Sequence, residues 1–244
     1  MELDGPSCPE FLVIFDIDWT LLVASGLIYR SIIAAYKALF GIKIQQPEDE
    51  LGTGRTDPWM IREWGKRNGI DETEIDEKMD AMIDFVGTWY VENIKREGVV
   101  VLPGIPELLQ KIDEKRYLRC IVTGGLEIPA YHKLQKCGLA QGFAFGAFGS
   151  DAEERSVLLE LALQRAKDRC NFIWNGHNAM YVADSPLDVL AAKQVGLPVV
   201  IMIHGLNAHA DFTGAEPLAF MKGTEDHDAF FDAIATIQGQ VSDA

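Results

Sequence analysis

The stretch FLVIFDIDWT, residues 11–20, places two aspartates directly after a run of five apolar residues. Such a continuous apolar run is typical of a strand that is buried on both faces, as in a parallel sheet. Similar runs cover residues 118–122, 179–183 and 198–203, and a less clear strand covers 143–148. Segments with helical periodicity separate most of these runs. The alternation predicts an α/β fold with a doubly wound, Rossmann-like parallel sheet and helices on both faces.

Three helical patterns follow the first run. The first covers residues 27–40, and the second begins at the capping residue Thr56, which an aspartate and an early proline follow. The third begins near Asp71, with Glu74 three residues on as in a capping box. It continues to Tyr90 as an apolar stripe at helical spacing, which we interpret as core packing and not as a ligand site.

The helical patterns form a long insertion, because residues 24–98 contain no convincing strand. About seventy residues between two strands are too many for a simple crossover connection. We therefore predict two domains. An α/β catalytic core comprises 1–23 and 97–244, and a helical cap domain, 24–96, is inserted after the first strand and covers the carboxyl edge of the sheet.

The composition narrows the classes of partner. The 244 residues carry a net charge of −15 with a pI near 4.7, which disfavours nucleic acids and anionic membranes as partners. The four cysteines are widely spaced, so we expect reduced thiols and no zinc site. We see no signal peptide and no apolar run of membrane-spanning length, so a cytoplasmic location is expected. The sequence does not indicate an oligomeric state.

The polar residues that follow the predicted strands are expected at one edge of the sheet, where open α/β sheets bind their ligands. They are Asp16, Asp18, Thr123, Gly124, Asp184 and Asp188, and Arg155 opens the helix that leads toward the fourth strand. Four carboxylates in a partly buried site repel one another, and a hard cation such as Mg²⁺ relieves that repulsion. A hydroxyl, glycine backbone amides and a guanidinium are suited to hold a phosphate.

In these motifs the chain resembles the haloacid-dehalogenase-like hydrolase superfamily, in particular its phosphoglycolate-phosphatase-like branch. The match is carried by residues 15–22, 122–125, Arg155 and 182–189, in the order that the family shows. Similarity extends over most of the core, including 146–151. The predicted helical insertion matches the helical cap of the family in position and size. A lysine often stands where we assign Arg155.

The resemblance implies a magnesium-dependent phosphatase that hydrolyses a small phosphate monoester through an aspartyl-phosphate intermediate. Asp16 would attack phosphorus. Asp18 would protonate the leaving alcohol and then activate the water that hydrolyses the intermediate. Thr123, Gly124 and Arg155 would hold the transferring phosphoryl group. The partner would be a small phosphorylated metabolite, with a sugar phosphate or 2-phosphoglycolate as the analogy-based expectation.

The metal would bind Asp16, the backbone carbonyl of Asp18, and Asp184, with Asp188 as a further ligand or as support. A second interpretation of Asp184 and Asp188 is helix capping, since aspartates favour first turns. This interpretation explains Asp188 better than Asp184, and capping and metal binding can coexist.

On the substrate side we assign Arg55 and Thr20. Arg55 lies among glycines that would suit a loop reaching down to the substrate, although the segment could also be only a lead-in to the second helix. The family often has glycine where this chain has Trp19. The large side chain there could line the pocket or pack under the cap, and both interpretations stay open.

Three other reactions are possible on the same core. A carbon–halogen hydrolase has no need of a second acid, so Asp18 argues against it. A phosphonatase needs a cap lysine for a Schiff base, and Lys37 and Lys43 are candidates. A sugar-phosphate mutase would share the whole core set of residues.

Two proteins without turnover form a different class. A phospho-aspartate signalling domain also combines strand-end carboxylates, a threonine and a basic residue. The long insertion and Asp18 disfavour it. A phosphate-binding protein that lacks catalysis is disfavoured by the intact carboxylate set.

Overall fold

The computed structural model describes residues 9–24, 26–47, 54–94, 98–203 and 209–239. Within these ranges the chain forms eight strands and nine α-helices. The strands are β1 (Leu12–Phe15), β2 (Leu22–Ala24), β3 (Val99–Val101), β4 (Leu118–Thr123), β5 (Gly146–Phe148), β6 (Ala179–Ala183), β7 (Val199–Met202) and β8 (Ala219–Met221). The helices are α1 (Leu27–Leu39), α2 (Asp57–Arg67), α3 (Glu72–Glu77), α4 (Met79–Asn93), α5 (Ile105–Glu114), α6 (Glu127–Lys136), α7 (Arg155–Cys170), α8 (Pro186–Val195) and α9 (His227–Gly239).

Six strands form one parallel sheet in the order β5-β4-β1-β6-β7-β8. The chain leaves β1 to build β4 on one side and later returns to build β6 on the other, so the carboxyl end of β1 is a topological switch point. Along β1, Leu12 and Ile14 pack into one buried cluster, and Val13 and Phe15 pack into another. This alternation places apolar cores on both faces of the sheet. The predicted doubly wound α/β fold is confirmed.

Four strands differ from their prediction. The third predicted strand, 143–148, is limited to β5, and neither β8 nor the antiparallel pair of β2 and β3 was predicted. Strands of three residues are too short to show a sequence period, which explains the omission. Leu22 pairs with Val101 and Ala24 with Val99, so the short hairpin ties together the two chain segments that flank the helical insertion.

The helical insertion, α1 to α4, largely follows the sequence patterns, with one correction. The third predicted helix is divided at Lys78 into α3 and α4. Asp71 caps α3 by accepting a hydrogen bond from the backbone N–H of Thr73, but the Glu74 side chain pairs with Lys78 at 3.0 Å and does not complete a capping box. The apolar stripe of α4 is core, as expected, because Met82 is fully buried.

The insertion has its own cluster of buried side chains, centred on Tyr36, Ile61 and Trp64. Leu126, at the start of α6, is the buried residue through which this cluster reaches the parallel-sheet part. The division into a core and a cap remains a prediction, and its second boundary, at 96–97, lies outside the described residues. In the described part of the chain, no helix has the length and apolar character needed to cross a membrane.

Candidate active site

The central feature of the site is Asp16, which follows the last residue of β1. Its backbone N–H donates to the carbonyl of Val182 on β6, so the chain is still held by the sheet at this point. The residue is 5% exposed. The pKa of its carboxyl group is raised to about 7. Burial is the main cause, the charges of Asp188 and Asp18 add to it, and Arg155 opposes it. A buried carboxylate at a strand end is a poor structural residue, and this marks it as a functional candidate.

Arg155, the first residue of α7, holds several groups of the site together. Its Nη1 atom lies 3.4 Å from Asp16 Oδ1 and 2.7 Å from Asp188 Oδ1, and it donates to the hydroxyl of Tyr181 at 3.0 Å. Its Nε donates to the carbonyl of Gly54 in the insertion. The guanidinium therefore faces the nucleophile candidate from a fixed direction, and its role as a phosphate-binding cation stays a prediction.

Thr123 ends β4 and Gly124 follows it, at the same edge of the sheet as Asp16. The Thr123 hydroxyl accepts a hydrogen bond from the backbone N–H of Gly125 at 3.3 Å. A Cβ atom on Gly124 would lie 2.8 Å from Arg155 Nη2 and 2.9 Å from the carbonyl oxygen of Arg55. Only glycine fits at this position, because the insertion and the arginine approach the backbone so closely.

Asp188 is held as a structural support. Its Oδ2 accepts hydrogen bonds from the backbone and the hydroxyl of Ser185, which completes a capping box at the start of α8. Its Oδ1 accepts from Tyr181 and pairs with Arg155. Both oxygens are thus engaged by the protein, so the geometry favours helix capping and orientation of Arg155 over direct metal binding.

Asp184 differs from Asp188, because burial and then the charges of Asp188 and Asp16 raise its pKa to about 9. Among the described residues, no three His, Cys, Asp or Glu side chains are arranged as a ready-made metal site. Asp16 and Asp184, whose ionised forms are disfavoured by burial, nevertheless fit Mg²⁺. This cation takes one or two carboxylates and keeps several waters. The donor set is therefore compatible with this cation.

The raised pKa of Asp184 predicts an inverse dependence of stability on pH for the metal-free protein. Above the ordinary value of 3.8, the unfolded chain loses this proton while the folded chain keeps it up to about pH 9. The free energy of unfolding therefore falls as the pH rises through this window. We expect a lower thermal midpoint at about pH 8 than at about pH 6 in chelator, and a larger stabilisation by Mg²⁺ at the higher pH.

The matched variant for this prediction is Asp184→Asn, which has no carboxyl group to titrate. Its midpoint in chelator is expected to change less between the two pH values, and its response to Mg²⁺ to be weaker. Equal pH dependence of the wild type and the variant would contradict the assignment.

The insertion contributes to the site through the residues that lead into α2. The backbone N–H of Asp57 donates to the carbonyl of Gly124 at 2.8 Å, and the Asp57 side chain accepts from the backbone N–H of Leu126 at 2.8 Å. Thr56 caps α2 and donates its hydroxyl to the carbonyl of Glu153. Arg55 is exposed and lines the cavity, and its contact with a substrate stays a prediction.

Two residues of the site were not predicted. Asp57 is buried, and burial raises the pKa of its carboxyl group to about 6. Lys133 on α6 has a side chain that is 8% exposed and forms an ion pair with Asp18 Oδ2, and this pairing keeps its pKa raised despite the opposing effect of burial. The partners are distant in sequence. The local signal for Lys133 was its position one helical turn after Pro129, which places both residues on the same face of α6, the face that lines the cavity.

Many of the groups described above line one cavity of about 480 Å³. Asp16, Asp18 and Asp184 line it together with Thr123 and Arg155. Trp19 also lines the cavity, in agreement with the first of the two interpretations given for it. Thr20 does not fit its assignment to the substrate, because it is fully buried and is not a cavity-lining residue.

Comparison with known proteins identifies a family and related folds. The sequence model of the family described as "Haloacid dehalogenase-like hydrolase" matches residues 13–202. Phosphoglycolate phosphatase from Synechococcus elongatus is 24% identical over 212 residues, which cover 84% of this chain and 89% of that protein.

Two solved structures show the likeness in fold. A predicted phosphatase from Clostridium acetobutylicum superposes with a TM-score of 0.69 at 16% identity, covering 92% of this chain and 99% of that one. A putative beta-phosphoglucomutase from Thermotoga maritima superposes with a TM-score of 0.56 at 18% identity, covering 91% and 99%.

Proposed function

The chain belongs to the haloacid dehalogenase-like hydrolase family, and on that premise we propose that it is a phosphatase that hydrolyses a small phosphate monoester through an aspartyl-phosphate on Asp16. One observation carries the proposal. The Asp16 carboxylate, the Arg155 guanidinium and the Thr123 hydroxyl line a single cavity at the switch point of the sheet. The phosphatase name of the curated relative supports the same class of reaction.

In the first half of the proposed reaction, a carboxylate oxygen of Asp16 forms a bond to phosphorus while the bond to the ester oxygen breaks. Asp18 gives a proton to the departing alkoxide, so the product leaves as an alcohol. In the second half, Asp18 takes a proton from water, and the resulting hydroxide displaces Asp16 from phosphorus. The carboxylate of Asp16 and the proton on Asp18 are both restored.

The phosphoryl group develops negative charge that the surrounding groups must offset, because phosphoryl transfer depends on positioning and electrostatics. Arg155 contributes a full positive charge and Thr123 a hydroxyl, both on rigid elements. Asp188 and Tyr181 orient Arg155 through the contacts described above. They would act through the arginine and not on the substrate.

We propose Mg²⁺ as the cofactor, held by Asp16, Asp184 and the backbone carbonyl of Asp18. When bound, it supplies charge neutralisation and Lewis acidity toward phosphate oxygens. The raised pKa values of Asp16 and Asp184 support this assignment. Burial, and then the charges of neighbouring acids, disfavour their ionised forms, and a bound cation would stabilise those forms. The helical insertion is proposed as the cap that shields the reaction from water.

The described residues argue against some of the alternative functions more strongly than against others. Lys37 and Lys43, the candidates for a phosphonatase, are exposed and do not line the cavity. The lysine that lines it, Lys133, has a raised pKa because of Asp18 and is therefore an ammonium group, not a free amine. A mutase is not separated by the fold, since a putative beta-phosphoglucomutase shares it. The long insertion and the paired acids continue to disfavour a signalling domain.

The proposal is tested by measuring inorganic phosphate released from a panel of phosphate monoesters, with Mg²⁺ and with chelator. The panel includes 2-phosphoglycolate, small sugar phosphates and alkyl and aryl phosphates. We expect multiple turnovers that require the metal. Conversion of a sugar phosphate to its isomer without phosphate release would identify a mutase instead, and metal-bound folded protein without any turnover would identify a binding protein.

Lys133→Met tests the role of Asp18. Because Lys133 holds one carboxylate oxygen of Asp18, its loss is expected to impair proton transfer to the leaving group. We predict that kcat/KM for an alkyl phosphate falls about 100-fold, the lower end of general acid–base contributions. For p-nitrophenyl phosphate, whose leaving group needs little help from an acid, we expect a much smaller loss.

Lys136→Met is the matched control. Lys136 lies on the same helix, but its Nζ donates to the backbone carbonyl of Ile94, outside the cavity. It should leave both rates close to those of the wild type. An equal loss on both esters in Lys133→Met would show that the lysine does not act through Asp18.

A further inference from the structure

Trp19 occupies a backbone conformation that tryptophan rarely adopts. Its φ angle is 62°, in the left-handed region where the Cβ atom of an L-residue is strained. In the described part of the chain, the other non-glycine residues with positive φ are Arg116 and Asn171. These two follow or cap the ends of α5 and α7, where this conformation is ordinary. Trp19 instead lies in the tight turn between Asp18 and the hairpin strand β2.

The turn itself does not require a tryptophan. It is held by backbone bonds, from the N–H of Trp19 to the carbonyl of Leu22 at 2.8 Å and from the N–H of Leu21 to the carbonyl of Ile17 at 2.9 Å. Glycine would offer the same backbone groups without strain. Strain that persists at a site is an indication of function. The feature that the strained residue adds here is an indole side chain on the wall of the cavity, next to Asp18.

The side chains around Trp19 make that wall aromatic and apolar. Ile28 and Tyr29 of α1, Met60 of α2 and Tyr90 of α4 line the same cavity. They come from three helices of the insertion, whereas the phosphate-binding groups come from the sheet edge. The cavity thus has a polar end that fits the phosphoryl group and an apolar wall that faces whatever the phosphate is attached to.

The polar side chains near this wall are engaged with the protein. Lys133 is paired with Asp18, and the carboxylate of Asp57 accepts a backbone hydrogen bond at 2.8 Å. The guanidinium of Arg55 lies 4.5 Å from the centre of the Trp59 ring. A volume of about 480 Å³ is also in the range of pockets for ligands much larger than a two-carbon acid.

We propose that the substrate is a phosphate monoester whose alcohol carries an aromatic ring, and that Trp19 is the residue that selects it by contact with the ring. This inference rests on the proposed phosphatase function and goes beyond it in naming the leaving group. Aromatic side chains contribute a large apolar contact area and favour offset or edge-to-face contacts with a second ring. A small anionic leaving group would gain nothing from that wall.

The test compares benzyl phosphate with ethyl phosphate, two esters of primary alcohols that differ in the ring. For the wild type, we expect kcat/KM to be at least about tenfold higher for benzyl phosphate, a modest value for discrimination by an apolar pocket. In Trp19→Gly, which fits the backbone conformation, the ratio of the two values is expected to fall about tenfold. Trp19→Phe should restore part of the ratio, because it restores an aromatic ring.

Trp89→Ala is the matched control. Trp89 is a half-buried tryptophan of α4 that does not line the cavity, so its removal should leave the ratio unchanged. Circular dichroism establishes that each variant is folded. The proposal is overturned if the wild type does not prefer benzyl phosphate, or if Trp19→Gly lowers both rates equally. Absence of phosphate release from both esters and from the wider panel would instead overturn the phosphatase function itself.

Discussion

Asp16→Asn is expected to lower the rate of phosphate release by about 10⁴-fold or more, as the loss of a covalent nucleophile does. An amide at this position cannot form the aspartyl bond to phosphorus. The substitution should not unfold the protein, because the ionised carboxylate is itself disfavoured by burial, which raises its pKa to about 7. At about pH 8 in chelator, the thermal midpoint of the variant is therefore expected to equal or exceed that of the wild type.

The matched control for Asp16→Asn is Asp151→Asn. Asp151 also follows a strand of the sheet, but it pairs with Arg165 at 2.7 Å and does not line the cavity. Its substitution should leave phosphate release within a few-fold of the wild-type rate. Phosphate release by Asp16→Asn at a rate comparable to the control would show that Asp16 is not the nucleophile.

Arg155→Met is expected to have the second largest effect, on activity and on stability together. Loss of its charge near the transferring phosphoryl group should cost about 10²- to 10³-fold in kcat, as for the removal of one donor to a developing anion. Its side chain is 10% exposed and its partner Asp188 is 1% exposed. Removing one member of such a buried pair leaves a carboxylate uncompensated, at a cost of about 3–5 kcal/mol in the free energy of unfolding.

Arg165→Met separates these effects from the general loss of an arginine on α7. The Arg165–Asp151 pair has side chains that are 27% and 25% exposed, so its removal should cost at most about 1 kcal/mol and little activity. Arg155→Lys should recover part of the activity, since it keeps the charge but not the planar group of donors. If the activity of Arg155→Met equals that of Arg165→Met, the phosphate-binding role is wrong. Chemical denaturation and steady-state rates supply the two readouts.

The sheet and the polar residues at its edge could be predicted because their signals are local. A buried parallel strand is a continuous apolar run, and the residue that ends the run lies at the carboxyl edge whatever the rest of the chain does. Asp16, Thr123 and Asp184 were found in this way. Asp188 is an intermediate case, since its capping role is visible in sequence but its contact with Arg155 is not.

The residues that were missed depend on tertiary contacts. Lys133 meets Asp18 across 115 positions, and Asp57 meets Leu126 across 69. A lysine or an aspartate in a helix is usually solvated, so neither residue could be identified without the fold. Thr20 is the opposite case, a residue that was assigned to the site but is buried away from it. Its place next to the two aspartates in sequence led to an assignment to the substrate, but the turn at Trp19 directs it into the protein interior, away from the cavity.

The most direct test of the account is the detection of the covalent intermediate. The protein, Mg²⁺ and a substrate from the active panel are mixed, quenched in acid within one turnover, digested and examined by mass spectrometry. We predict one added phosphoryl group on the peptide that contains Asp16, and none in Asp16→Asn. With p-nitrophenyl phosphate, whose leaving group needs little help from an acid, the group should be present at a higher level in Asp18→Asn, where its hydrolysis by water is slowed. A wild-type enzyme that releases phosphate without phosphorylating this peptide, or that carries the group on another residue, would contradict the central claim.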